Sequence, residues 1–156
     1  MASENEHIAL ANKNHDCLMH LLPNVATHPE WVATIAFYKA VQITEAVFDA
    51  LMGKDSTSHK DREETIKRHP KLKSAFKDYQ LLLTGSRIAR YLADPHATFT
   101  SWMSPQDVEK ILVYQRLHRF EQQMLPFLTD SKSLKKIVPP PSPAPPIAPA
   151  QPPANK

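Results

Sequence analysis

The chain has 156 residues with a formal net charge of +3, one cysteine, two glycines and fifteen prolines, a length that fits one domain with an added segment. Residues 1–130 hold 15 Lys and Arg against 16 Asp and Glu, a charge of −1, and the positive balance comes from four lysines beyond residue 130, so global charge does not argue for nucleic acid. The lone Cys17 excludes an internal disulfide, MASENEHIAL lacks the apolar centre of a secretion signal, and no apolar run approaches the roughly 18 residues of a membrane span.

A cytoplasmic chain with no membrane association is therefore expected. The first predicted element is an amphipathic helix over 6–22, with Ile8, Leu10, Leu18, Leu21 and Leu22, and with Cys17 as a small core residue. Thr27-His28-Pro29-Glu30 reads as a capping box for a long helix to Met52, and Gly53 supplies its stop. KDSTS at 54–58 is a polar loop, and Ser58 can cap a short helix at 59–69. Pro70 allows a new start that leads into a helix to about Ala93, which Asp94-Pro95 ends. Ser104-Pro105 opens a last helix with Val113, Leu117, Phe120, Met124 and Phe127 at spacings of 4, 3, 4 and 3, kinked or closed by Pro126. Scarce glycine and the absence of alternating runs exclude sheets. The expectation is an all-α, up-and-down bundle of four or five helices over 1–130, with no solenoid repeat.

Residues 131–156 read as a disordered, proline-rich tail. From Val138 onward, VPPPSPAPPIAPAQPPANK holds nine of the fifteen prolines and neither an aromatic nor an acidic residue. Pro140, Pro143, Pro146 and Pro149 recur every third position, the period of a polyproline II helix, which suits a solubilising tail, a tether or a peptide ligand.

Polar residues interrupt both apolar helices. Tyr38, Gln42 and Glu45 form one stripe of the 30–52 helix, and Ser86, Arg87 and Arg90 close the apolar run at 74–93. Buried charges are costly without partners, so Glu45 is expected to face Arg87 or Arg90 across a helix interface. Gly85, beside the arginines, suggests a close approach by another helix. Ser58-His59-Lys60-Asp61-Arg62 opens the short helix as a cap followed by solvated charge. The basic residues of 59–77 are mixed with acids and read as a solvated face rather than a phosphate-attracting patch. The eight histidines are scattered without metal-ligand spacing, and neither glycine sits in a phosphate-binding loop, so no metal and no cofactor are expected.

AFYKAVQITEA, SHKDR, DYQLLLTGSRIARY and the closing amphipathic helix together resemble bacterial HEPN-domain proteins over about residues 6–128. The resemblance implies a bundle that forms a homodimer and associates with RNA or nucleotides. The leading expectation is a non-catalytic dimerisation or interaction module, with Tyr38, Gln42, Glu45, His59, Arg62, Ser86, Arg87 and Tyr91 in its network or binding surface. The alternative is a metal-independent endoribonuclease, the toxin of a toxin–antitoxin pair with a nucleotidyltransferase partner. The family signature is an arginine followed, after four to six residues, by a histidine; Arg90 and His96 have five between them. In that chemistry the histidine takes the proton of a ribose 2′-OH and the arginine clamps the phosphate. The chain departs from the active pattern at Tyr91, where a polar residue is usual, at Gln42, where histidine is frequent, and at Asp94-Pro95, which puts His96 on a loop.

Overall fold

The computed structural model describes residues 2–91 and 98–141, and all its regular structure among these is helical. The helices are α1 (Glu4–Leu21), α2 (Pro29–Met52), α3 (His59–Arg68), α4 (Phe76–Tyr91) and the short α5 (Phe99–Trp102). A continuous rod then covers 105–124 as α6 (Pro105–Asp107), a π-helical stretch (Val108–Leu117) and α7 (His118–Met124).

α2 is the centre of the bundle, packed by α1, α4 and the 105–124 rod, which explains why it is apolar on nearly every side. Phe37, Ala40, Ile43, Val47 and Phe48 are buried along it. Helix ends follow local chemistry. Ser3 and Glu6 form a reciprocal capping box that starts α1 earlier than the apolar pattern suggests. Ser58 and Ser104 each accept from the backbone three residues on. Gly53 adopts φ +64, the left-handed conformation that ends α2. The capping box expected at Thr27 is absent: His28 is the N-cap residue, without a side-chain bond, and Pro29 at the first helical position leads the helix. Cys17 is exposed rather than in the core. It sits about 100° of helical turn before Leu18, off the buried stripe of Ile8, Ala11 and Leu18, and Leu10 lies outside that stripe too, 45% exposed. A Cβ at Gly85 would stand 3.2 Å from the Trp102 indole, so the close approach there is made by an α5 side chain.

The expected boundary at residue 130 is corrected. Residues 131–137 lie against α1 and α7, with Leu134 and Ile137 only 2% and 1% exposed. Asn12 brackets this strap, its amide donating to the Ser133 carbonyl at 2.7 Å and its oxygen accepting from the Lys135 N–H at 2.7 Å. The Ile137 N–H donates to Glu121 at 2.7 Å, and His118 donates to the Ile137 carbonyl. Beneath the strap lies Lys39, fully buried in α2, whose ammonium binds Glu121, His15 Nδ1 (2.9 Å) and the Lys135 carbonyl (2.8 Å). Burial pushes the Lys39 pKa down and the Glu121 pKa up, and their mutual attraction opposes both. Asp78, 1% exposed, is held by Arg116 and Arg119, which ties α4 to the 105–124 rod. Val138 is 80% exposed where the proline-rich run begins, and 142–156 lie outside the described residues.

Candidate functional site

The polar stripe of α2 is real, but its three residues have three different partners. Glu45 is buried and pairs with Arg62 of α3, whose Nε stands 2.5 Å from the carboxylate. Ser56, in the loop before α3, gives the same carboxylate its backbone N–H at 2.8 Å and its hydroxyl. This corrects the pairing expected with Arg87 or Arg90. The C-terminal end of α4 lies beside the N-terminal half of α2, so Arg90 meets Tyr38, one stripe position two turns and about 10 Å before Glu45. Gln42, between them, accepts through Oε1 from His7 Nδ1 at 2.8 Å, and His7 Nε2 stands 3.1 Å from the Asp55 carboxylate.

Arg90 is held in a defined orientation. Its Nη1 donates to the Tyr38 hydroxyl at 2.8 Å, its Nε donates to the Ser86 carbonyl at 3.2 Å, and its guanidinium stands over the rings of Tyr38 (5.3 Å) and Tyr91 (4.9 Å). Ser86 is fully buried, and among the described residues neither its hydroxyl nor the buried hydroxyl of Tyr79, two turns earlier on the same face, has a hydrogen-bond partner. Burial pushes the Tyr79 pKa up to about 12, against the pull of Arg62. Arg87 is exposed, and so is Tyr91.

His59 joins the two halves. Its ring packs 5.7 Å from Phe37, and Arg62 Nη1 lies 2.9 Å from its Nδ1. A guanidinium has only donors, so Nδ1 must accept and the proton of the neutral ring sits on Nε2. Burial, then Arg62, Arg90 and Arg87 in that order, lower the His59 pKa below its usual value, with Glu45 opposing. With Nδ1 held as an acceptor, His59 offers an Nε2–H donor, and of the three guanidinium groups that act on it only Arg62 is paired with a buried carboxylate among the described residues. The arrangement suits an anion: fixed positive charge, a pre-set ring N–H and two aromatic faces.

His96, the other half of the arginine–histidine signature, lies outside the described residues. Among the described residues no three His, Cys, Asp or Glu side chains converge as a metal-binding set. No described helix is long and apolar enough to cross a membrane.

Sequence reasoning missed Ser56, Asp55, His7 and Trp31. The first three become visible only once the loop after Gly53 folds back over α1 and α2. Trp31 carried a usable signal: 31, 35, 38, 42 and 45 are spaced 4, 3, 4 and 3, so Trp31 belongs to the same face as the polar stripe. It is 60% exposed and lines a groove of about 410 Å³ with Glu30, Thr34, Ala89 and Arg90. Comparison with known proteins finds no matching family model, no matching curated protein and no matching solved structure.

Proposed function

We propose that this chain is a HEPN-like, non-catalytic binding module that takes a phosphate group of RNA or of a nucleotide at His59, Arg87 and Arg90, with Arg62 as the residue that sets the histidine. The observation that carries the reading is the bond from Arg62 to His59 Nδ1. It turns the imidazole into an N–H donor and occupies the lone pair that a general base would need, so His59 is equipped to hold a phosphate rather than to deprotonate a 2′-OH. Arg90, oriented by Tyr38 and Ser86, supplies the directed charge, and Arg87 adds to it from the adjacent turn.

The test is fluorescence anisotropy of a labelled single-stranded RNA oligonucleotide against the full chain across a salt series. Two to three phosphate contacts give a log–log salt slope of about −1.4 to −2.1, and Arg90→Gln reduces the slope by about 0.7. Absence of binding at low salt, or a slope unchanged by Arg90→Gln, overturns the reading.

The endoribonuclease alternative draws its support from the fixed orientation of Arg90, which a phosphate clamp requires. Pooled RNA incubated with the protein in EDTA decides between the two: intact RNA supports the binding module, and 2′,3′-cyclic phosphate ends that vanish in Arg90→Ala and His96→Ala support the enzyme. The resemblance also implies a homodimer and a nucleotidyltransferase partner; light scattering of the pure chain, alone and with the product of a neighbouring nucleotidyltransferase frame, measures both.

A further inference from the structure

The groove between the first turns of α2 and the last turns of α4 opens directly off Arg90, and its walls are unlike in character. Trp31 presents an indole face 60% exposed to solvent, an exposure unusual for the largest apolar side chain of a helix that is otherwise the buried centre of the bundle. Arg90 stands at the groove and carries positive charge; Glu30 lines it as well and carries negative charge. An anionic group is therefore drawn toward the guanidinium and repelled from the acid, so a ligand with an anionic end and a flat, neutral, hydrogen-bonding end has one favoured direction in the groove. Tyr91, 69% exposed, flanks the arginine and adds a second aromatic face.

We propose that this groove is a nucleobase subsite: the base of a ribonucleotide stacks on Trp31 with its edge toward Glu30, while Arg90 holds the phosphate. The inference rests on the phosphate reading of the His59–Arg90 cluster and adds the substrate class to it. Aromatic side chains stack on any base, which explains how such a surface tolerates sequence. Glu30 then discriminates. A carboxylate only accepts hydrogen bonds, so it pairs with a base edge rich in donors. Guanine presents two adjacent N–H donors to a carboxylate, whereas the N–H of uracil is flanked by two carbonyl acceptors that the carboxylate repels. Guanine nucleotides therefore bind ahead of uracil nucleotides.

The experiment titrates the full chain with guanosine 5′-monophosphate, uridine 5′-monophosphate and ribose 5-phosphate by calorimetry, and follows tryptophan emission in parallel. Trp102, partly buried against Gly85 and Phe99, is the second fluorophore, and quenching that is absent from Trp31→Phe reports Trp31. The guanine nucleotide is expected to bind about 5- to 150-fold more tightly than ribose 5-phosphate. Trp31→Ala should bring the two ligands to the same affinity, and Trp31→Phe should restore most of the difference. Equal affinities in the parent, with ribose 5-phosphate still bound, overturn the base subsite and leave the phosphate site standing. No binding by any of the three overturns both readings. Uracil and guanine nucleotides bound equally overturn the role of Glu30. A change from a larger to a smaller species in Trp31→Ala, with nucleotide affinity untouched, shows that the face joins two copies of the chain and overturns the subsite.

Discussion

Replacing Lys39 by methionine removes a charge from the interior and leaves three orphaned groups. Glu121 is fully buried and would keep only the Ile137 N–H, His15 Nδ1 would lose its donor, and the Lys135 carbonyl would lose the ammonium that holds the strap. Breaking a buried ion pair from one side costs about 3–5 kcal/mol, a large share of the 5–15 kcal/mol that stabilises a typical domain. For a body of this size that corresponds to a drop in Tm of about 10–18 °C. The double variant Lys39→Met/Glu121→Gln removes both charges and keeps an oxygen for the Ile137 N–H, so it should regain at least half of the loss. Urea denaturation followed by far-UV circular dichroism measures both, with the loss read at constant m. A loss under about 1 kcal/mol in the single variant, or strict additivity in the double one, refutes the argument.

Glu45→Gln should destabilise the fold by about 3 kcal/mol because it strands the buried Arg62, whereas Arg90→Gln should cost under about 1 kcal/mol; the reverse order in the same denaturation assay would return the acid's partnership to α4. His15 has its pKa pushed down to about 4 by burial and by Lys39, below its usual value, so the unfolded chain takes up the proton first. Stability should therefore decline as pH falls from about 6.5 to about 4, by about 1–2 kcal/mol after allowance for the half-exposed ring, and His15→Gln should flatten that part of the pH profile. A chain ending at residue 130 should melt well below one ending at 141, and Leu134→Ala in the full chain should lose about 2–5 kcal/mol; equal melting points would restore the boundary at 130.

What was legible followed from periodicity and punctuation. The helical class came from few glycines and 3.6-residue spacing, and the stops at Gly53 and the starts at Ser58 and Ser104 were visible because each depends on one residue and its immediate neighbours. The stripe Tyr38–Gln42–Glu45 was visible for the same reason. Its partners were not, since they depend on which turns of α2 each neighbouring element crosses: α4 brings Arg90 to Tyr38, and α3 brings Arg62 to Glu45 two turns further on. Lys39 carried no local signal of its partnership, because its acid lies 82 positions away. The strap was hidden by composition: Leu134 and Ile137 are two apolar residues among lysines, too few for any pattern, and they are buried because Asn12, Glu121 and His118 satisfy the backbone between them. The π-helical stretch from Val108 to Leu117 leaves Val113 and Leu117 buried, so the 4-and-3 spacing identified the core face without revealing the wider winding.

The sealing of Lys39 by residues so distant in the chain sets an order on biosynthesis. While the ribosome has released only the first hundred residues, α1 and α2 are complete, yet the ammonium at 39 has only His15 among its eventual partners. The apolar face around it must stay hydrated until residues 121 and 135 emerge. The bundle can therefore close only after translation of its C-terminal segment, and a nascent chain stalled short of that point is a natural client for chaperones.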